Sequence, residues 1–407
     1  MALVQQVHKH QTIALSMIVK DEEEVILRAL NSVRHIVDYY CICDTGSSDN
    51  TVKIIRDYLK ENNFEGKVYK RNWVDFAHNR TEAIERASGK CDYIMTLDAD
   101  EVLAVYDGVE PDLKKRIVAL PKLESDRINV DTWQPAITFQ RTQFMKDSAG
   151  PWRWESPVHE VPVSPNEKSF DTLSGVCVIP HKDGARAKDS NRFLWDAFYF
   201  EKEVVKNPEH WRAWFYLGQS YHDAGRLDQA VTAYLHNATN TQWAEEKATS
   251  YLRVARINHQ RLRDGFDAAL PYYWKSYDAH PRRAEAIYEI IRHYRKQEMY
   301  ILGAKLAPLM LDTQVSGDLL FVETEIYNWR AKDEASICYY WTYQFEKAVK
   351  YAKEALQFPN IPEGERDRIK TNLKHSEDAL NKQQQANGGL QELLQRRQIS
   401  QACKETN

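Results

Sequence analysis

Long hydrophobic runs are missing from this 407-residue sequence. No apolar stretch approaches the roughly 20 residues that a transmembrane helix needs, so we predict no membrane span. The first ten residues lack the apolar core of a secretory signal, and we expect none. The six cysteines are scattered, without the spacing of a metal site or a disulfide framework. That pattern favours reduced thiols and a cytoplasmic location.

A marked excess of charge of either sign is also missing. Lys and Arg number 55 against 59 Asp and Glu, which gives a formal net charge of -4 at pH 7. A large nucleic-acid-binding surface would need a clear basic excess, so we expect no nucleic-acid partner. The length exceeds the roughly 250–300 residues over which a single core grows, and it therefore predicts two domains.

The amino-terminal part alternates short apolar runs with segments of helical spacing. Such alternation is typical of an α/β domain with a mostly parallel sheet, in which ligands bind at the carboxyl ends of the strands. We predict this domain over residues 1–188. The predicted strands lie at 13–19, 37–43, 66–70 and 93–97, and the predicted helices at 25–33, 51–59 and 81–87.

Acidic residues follow two of the predicted strands. Asp44 opens the loop after the second strand, and Asp98-Ala99-Asp100 follows the fourth. Two carboxylates one residue apart could hold a hard divalent cation against a diphosphate, because such ions prefer oxygen ligands. The plainer alternative is an acidic turn, in which Asp98 and Glu101 cap the segment that follows.

After about residue 189 the apolar spacing is helical almost to the end. We predict an all-α domain of tetratricopeptide-like repeats at 189–380, followed by a polar, partly disordered tail at 381–407. Three to four stacked repeats are expected, since an isolated helix pair cannot bury its apolar face. The repeats would form a structural or dimerising platform, or would recruit substrate. The repeat pattern is carried by Trp214, Leu217, Gly218, Tyr221, Gly225, Ala230 and Tyr234.

Five short motifs follow one another along the chain: Met17-Ile-Val-Lys-Asp-Glu-Glu, Asp44-Thr-Gly-Ser-Ser-Asp-Asn-Thr, Asp75-Phe-Ala-His-Asn-Arg80, Leu97-Asp-Ala-Asp-Glu101 and Ser156-Pro-Val-His-Glu160. In this order they resemble the motifs of family 2 glycosyltransferases, which implies a GT-A, Rossmann-like fold. Ile179-Pro-His181-x-x-Gly184 and the repeats extend the resemblance to the branch of sublancin-type bacteriocin S-glycosyltransferases and lipopolysaccharide-core glucosyltransferases.

The resemblance implies a nucleotide-sugar donor, a UDP-sugar such as UDP-glucose. Asp44 would hydrogen-bond the base, and the main chain of Ile18, Val19 and Lys20 would line the base pocket. Arg80 would contact the diphosphate, which suits a guanidinium group. The alternative for Arg80 is a solvated arginine at the start of a helix.

The resemblance also implies a Mn²⁺ or Mg²⁺ ion that stabilises the leaving diphosphate. Asp100 is the main expected ligand and a catalytic residue. Asp98 is expected as a ligand or as the partner of the ribose. His181 is a further candidate because a neutral imidazole suits Mn²⁺ better than Mg²⁺, although a lone histidine is usually structural.

An inverting transfer needs a base that accepts the acceptor's proton. Glu160 is the first choice, because desolvation by the nearby Trp152 and Trp154 would raise its pKa. Asp147 is the alternative base, and His159 could fix the loop instead. The two tryptophans could stack on a sugar or belong to the core.

These expectations combine into a metal-dependent, inverting glycosyltransferase that acts on a protein, peptide or glycan acceptor. A homodimer through the repeats is also expected. An interaction protein whose nucleotide-sugar-binding domain is inactive remains the alternative. A nucleotidyltransferase is disfavoured, because the chain reads Lys20-Asp-Glu-Glu-Glu after Val19, where a Gly-rich phosphate loop would be expected.

Overall fold

The computed structural model describes residues 11–134, 137–261, 265–313, 318 and 320–405, with the backbone alone at 137–138 and 389–405. The first ten residues, on which the expectation about a secretory signal depends, lie outside these ranges, as does the side chain of Cys403. Every helix within the described ranges is too short or too polar to cross a bilayer.

The described amino-terminal residues form one nine-stranded sheet and a two-stranded ribbon. The ribbon pairs β9 (Arg153–Glu155) with β10 (Val161–Val163). The strands of the large sheet are β1 (Ile13–Val19), β2 (Tyr39–Asp44), β3 (Glu65–Lys70), β4 (Tyr93–Thr96), β5 (Glu101–Tyr106), β6 (Pro111–Asp112), β7 (Arg127–Gln134), β8 (Ile137–Lys146) and β11 (Phe170–Pro180).

The strand order β3-β2-β1-β4-β8-β7-β11-β5-β6 divides the sheet into two halves. From β3 to β4 every pairing is parallel. Beyond β4 the pairing is mixed, because β8 is antiparallel to both of its neighbours and β11 is parallel to β7 but antiparallel to β5. The parallel half is the one that the alternating sequence pattern predicts, and the α/β fold class is confirmed.

Helices α1 (Ile26–Val33), α2 (Thr51–Glu61) and α3 (Phe76–Ala87) connect the parallel strands. They form where the apolar residues repeat at helical spacing: α1 buries Ile26, Ala29, Leu30 and Val33, which share one face. The strand β1 is buried along almost its whole length, as expected for a central parallel strand that is covered on both faces. This packing leaves the carboxyl ends of β1, β2 and β4 at one edge.

The carboxyl-terminal half is helical, as predicted. Contacts divide the chain into two compact units, the first reaching Glu246 with a short segment that ends at Val322, and the second comprising the remaining residues. The predicted domain limits at 188 and 380 stay predictions. The helices are α4 (Arg192–Lys206), α5 (Trp211–Asp223), α6 (Leu227–Asn240), α7 (Ala244–Arg261), α8 (Gly265–Ala279), α9 (Glu285–Lys296), α10 (Tyr300–Leu311), α11 (Ala331–Trp341), α12 (Phe345–Leu356) and α13 (Glu363–Glu405).

The α5–α6 pair shows why the repeat pattern needs a glycine at 218. A Cβ atom there would lie 2.8 Å from the ring of Tyr234, which is completely buried. We expect Gly218→Ala to lower the free energy of unfolding. Overpacking costs about 1–3 kcal/mol, and this cost outweighs the roughly 1 kcal/mol by which alanine stabilises a helix relative to glycine.

Thermal unfolding of the full chain measures this effect. Gly364→Ala is the matched control, since Gly364 is also helical but has open space around it. The control should unfold at the wild-type temperature or slightly above it. A Gly218→Ala variant as stable as the control would contradict the packing argument.

Candidate functional site

The ends of β1 and β2 bring the first set of predicted residues together. The register pairs Val19 with Asp44, and Thr45 donates from its backbone N–H (2.9 Å) and its hydroxyl (3.1 Å) to the carbonyl of Val19. The Asp44 carboxylate is buried and accepts from the backbone N–H of Ser47 at 3.1 Å. Ile18 is half-buried and Lys20 is exposed.

Hydrogen bonds tie the loop after β1 to the loop after β2. Asp21 accepts from the backbone N–H of Ser48 at 2.6 Å, and Glu23 accepts from the backbone N–H of Asn50 at 3.0 Å. Asp21 adopts a left-handed conformation with φ 54°, which is uncommon for a residue other than glycine. These acidic residues join two loops of the site.

The Asp98-Ala99-Asp100 turn lies beside Arg80, at the same edge. Arg80 donates to Asp98 Oδ1 at 2.6 Å. The backbone N–H of Asp98 donates to Glu101 Oε2 at 3.0 Å, and the N–H of Glu101 donates to the Asp98 carbonyl at 3.1 Å. Glu101 therefore closes the turn by bonding back to Asp98, whereas the plainer interpretation has it cap the segment that follows. Asp98 has in addition a cationic partner.

The two carboxylates of the motif differ in their electrostatics. Burial by itself would raise the pKa of Asp98, but the charges of Arg80 and Arg141 outweigh it and hold the pKa below its usual range. Burial and the Asp98 charge raise the pKa of Asp100. Asp98 is therefore the more acidic of the two carboxyl groups, and Asp100, which interacts with the charge of Arg28, keeps a raised pKa.

Glu22 lies close to Asp100 and also has a raised pKa. A Cβ atom at Gly184 would lie 2.9 Å from Glu22 Oε2 and 3.2 Å from Asp100 Cβ, so this glycine allows both acidic side chains to approach one point. Burial raises the pKa of Glu22 to about 7, and the charge of Asp100 adds to this rise. The hydrogen bond from the backbone N–H of Ala185 acts in the opposite direction and lowers the pKa. Within the described part of the chain, neither Glu22 nor Asp100 forms an ion pair.

This pKa predicts how stability depends on pH. A carboxyl group whose folded pKa is raised binds more protons when folded, so the free energy of unfolding falls as pH rises from about 4.5 to about 7. Glu22→Gln should remove that fall and stabilise the metal-free protein at pH 8 by on the order of 1–2 kcal/mol, since solvent screens part of the interaction.

Urea unfolding at pH 5 and pH 8, with chelator present, measures this difference. Glu24→Gln serves as control, because Glu24 lies on the same loop with an exposed side chain that is 70% accessible. A Glu22→Gln variant with the same pH dependence as the wild type would rule out the raised pKa.

His181 reaches the site through its backbone. The antiparallel register of β11 and β5 pairs Pro180 with Glu101, and the N–H of His181 donates to the Asp100 carbonyl at 3.0 Å. His181 is exposed, and partial burial followed by the charge of Arg28 lowers its pKa. Among the described residues, no group of three or more His, Cys, Asp and Glu side chains converges as a metal cage.

Glu160 forms an ion pair with the guanidinium Nε of Arg80. The side chains of Arg80 and Glu160 are only 13% and 10% exposed. The guanidinium carbon lies 5.6 Å from the ring centre of Trp154. Arg80 is therefore held by a carboxylate on each side and by an aromatic face, and its alternative as a solvated helix-start arginine does not fit this environment.

The two tryptophans in and next to β9 belong to the core. Trp152 and Trp154 are 3% and 7% exposed, and the indole N–H of Trp152 donates to the Lys146 carbonyl at 2.8 Å. Of the two roles left open, the structure favours core packing over stacking on a sugar.

Asp147 does not join the cluster. It accepts from the Ser88 hydroxyl at 2.7 Å and from the Gly89 N–H at 2.9 Å. The register pairs Tyr93, the first residue of β4, with Lys146, so Asp147 lies beside the start of the strand whereas Asp98 follows its end. The alternative base proposed from the sequence is thus placed at the opposite edge of the sheet, where it caps a turn.

Arg141 is a residue that sequence reasoning missed. It lies on β8 and donates to Glu101 Oε2 at 2.6 Å, with its other terminal nitrogen 4.0 Å from Asp98 Oδ2. Glu101 is 3% exposed, and a buried carboxylate requires such a partner. A charged residue within a strand-like segment was the available signal, but its partner was not visible in the sequence.

Residues 15–150 match the family model described as Glycosyl transferase family 2. A TPR repeat-containing protein of Synechococcus elongatus is 31% identical over 150 residues, which are 37% of this chain and 35% of that protein. An uncharacterized glycosyltransferase of Rickettsia typhi is 32% identical over 92 residues, 23% of this chain and 29% of that protein. The solved structure of S. aureus TarS 1-349 in complex with UDP-GlcNAc has 12% sequence identity and a TM-score of 0.32, and it covers 66% of this chain and 89% of that chain.

The chain spans about a third of the length of these curated relatives, and a TM-score of 0.32 carries no structural argument. The family-model match confirms the predicted family 2 glycosyltransferase domain at the amino-terminal end. Together with the helices from α4 to α13, it confirms the predicted architecture of an α/β domain followed by helical repeats.

Proposed function

We propose that this chain is a metal-dependent, inverting glycosyltransferase that transfers a hexose from a UDP-sugar to a protein, peptide or glycan acceptor. The observation that carries the proposal is the convergence of Arg80, Asp98 and Asp100 at the carboxyl edge of the parallel strands, inside the segment that matches the family 2 model. Ligands of open α/β sheets bind at that edge.

The donor would lie along the loops after β1, β2 and β4. The buried Asp44 carboxylate can accept from a base N–H, with the main chain of Ile18, Val19 and Lys20 beside it. Arg80 is suited to the diphosphate, because a guanidinium group binds phosphate oxygens through two parallel hydrogen bonds.

A divalent cation fits the chemistry of this edge. Burial raises the pKa of Asp100 and of Glu22, and neighbouring carboxylates add to both rises, so a bound cation would reduce that cost. Mg²⁺ and similar ions are commonly held by one or two carboxylates together with substrate phosphates, so a cage of three protein ligands is not required. Asp100, Asp98 and His181 would hold Mn²⁺ or Mg²⁺, which when bound would neutralise charge on the leaving diphosphate.

Glu160 would act as the base. Its ion pair with Arg80 occupies both groups, so the donor diphosphate would compete with Glu160 for the guanidinium. A Glu160 carboxylate released in this way can accept the proton of the acceptor's nucleophile, while that nucleophile displaces the diphosphate from the opposite face of the sugar. A single displacement of this kind inverts the anomeric carbon.

The repeats would serve acceptor recruitment or a homodimer, and a cytoplasmic location is part of the same proposal. Stacked helical repeats offer extended surfaces for such contacts. The second candidate function, an interaction protein that binds nucleotide-sugar without turnover, is favoured by the Arg80–Glu160 ion pair, since it engages both the diphosphate-binding group and the base.

Donor hydrolysis by the full chain separates the two functions. We expect one of a panel of UDP- and GDP-sugars to be consumed with Mn²⁺ and to be spared with chelator. Intact-mass measurement of candidate peptide and glycan acceptors should then show the added hexose. Donor binding without consumption of any donor, with or without metal, would support the interaction protein instead.

A further inference from the structure

Arg141 lies next to the Asp98-Ala99-Asp100 turn and is linked to it by one oxygen atom, Glu101 Oε2. Glu101 Oε2 accepts from Arg141 at 2.6 Å and from the backbone N–H of Asp98 at 3.0 Å. The same guanidinium group lies 4.0 Å from the Asp98 carboxylate. Arg141 therefore contacts both ends of the turn, one by a hydrogen bond and the other by its charge.

The pairing of β4 with β8 brings Arg141 near this turn. The last pair of the two strands is Met95 with Phe144, and Arg141 lies three residues before Phe144 on β8. The register of β8 against β7 shifts here, because the pairing passes from Phe144 to Thr142 and skips Gln143. The side-chain amide of Gln143 donates to the Thr96 carbonyl, which ties this part of β8 to the end of β4.

We propose that Arg141 is a positioning residue for the metal and the donor diphosphate, acting through Glu101. The inference rests on the proposed function. Arg141 fixes the Glu101 carboxylate, which in turn holds the Asp98 N–H and thereby the turn that presents Asp98 and Asp100. A planar guanidinium group is needed because it must bond Glu101 while keeping its charge near Asp98.

Mn²⁺-dependent binding of UDP to the full chain tests this role. Groups that orient metal ligands typically contribute about 10- to 100-fold in metal affinity or activity. Arg141→Met should therefore raise the Kd of UDP measured with Mn²⁺ by about 10- to 100-fold, and leave the Kd measured with chelator within about twofold. Arg141→Lys keeps the charge and should recover part of the loss. In turnover, the KM for the donor should rise more than kcat falls.

Arg127→Met is the matched control. Arg127 lies on the neighbouring strand β7, and its Nε lies 2.7 Å from Glu167. Its side chain is 28% exposed against 33% for Arg141. It pairs with Met145, near the start of β4 and away from the site. The control should bind UDP as the wild type does, with and without Mn²⁺.

Arg141→Met leaves Glu101 buried without its partner, so the unfolding temperature of this variant is measured as well. Glu101→Gln provides a second test of the same positioning role. Positioning through Glu101 predicts that Arg141→Met, Glu101→Gln and the double variant lose similar amounts of Mn²⁺-dependent affinity. Losses that multiply in the double variant, or a folded Arg141→Met with wild-type affinity, would overturn the inference. A wild-type chain that binds UDP with Mn²⁺ but consumes no donor would count against the proposed function alone.

Discussion

Asp100→Asn should abolish sugar transfer while leaving the protein folded. The substitution preserves the shape of the side chain and removes the negative charge that a divalent cation would need. Loss of a group that stabilises charge in the transition state typically lowers kcat by about 100- to 1,000-fold. The folded state should gain rather than lose stability in chelator, because burial and the charge of Asp98 make an ionised Asp100 unfavourable.

The measurement is donor turnover with saturating Mn²⁺, together with thermal unfolding in chelator. Asp57→Asn is the control, since Asp57 lies on α2 with a 49% exposed side chain paired to Lys53. Asp98→Asn should behave differently from Asp100→Asn: its amide oxygen can still accept from Arg80, but the negative charge that pairs with the guanidinium group is lost, which should mainly raise the KM for the donor. If the Asp100→Asn and Asp57→Asn variants consumed the donor at the same rate, Asp100 would have no role in the reaction.

Glu160→Gln should lower kcat by about 100- to 10,000-fold, the range that a general base contributes. Glutamine can still accept a hydrogen bond from Arg80 but cannot take up a proton. Donor affinity should therefore stay at the wild-type value or improve, because the diphosphate no longer competes with an anionic partner for the guanidinium group.

Two measurements distinguish the base from a structural ion pair. The Kd of UDP should not rise, whereas kcat should fall in the variant. Glu155→Gln is the control, as Glu155 ends the neighbouring strand β9 with a 50% exposed side chain bonded to Arg153. A Glu160→Gln variant that transfers sugar at the wild-type rate would assign the base to another group.

Much of the amino-terminal domain could be predicted from local pattern. Hydrophobic runs and helical spacing depend on residues close in the chain, and they placed β1, β2, β4 and α1 within a few residues of their observed bounds. Asp44 and Asp98 were identified for the same reason, since each lies at or just after the end of a buried strand. The strands of the mixed half were not predicted, because their pairing joins distant segments.

Charge pairing was the less predictable part of the site. Arg80 and Glu160 are 80 residues apart in the chain but form one ion pair. The expectation for Glu160 considered aromatic neighbours and not an opposite charge. Asp147 lies outside the site because β8 runs antiparallel to β4, so that Asp147, which follows β8, lies near the start of β4.

The sequence by itself determined which segments are strands and helices, which loops carry carboxylates, and that helical repeats follow. These features depend on hydrophobic periodicity and on the chemistry of single residues. Only the tertiary structure decided that Arg80 lies between Asp98 and Glu160, and that Arg141 supports the Asp98-Ala99-Asp100 turn through Glu101. Those contacts depend on the register of strands distant in sequence, and a one-residue slip would point each side chain to the opposite face of the sheet.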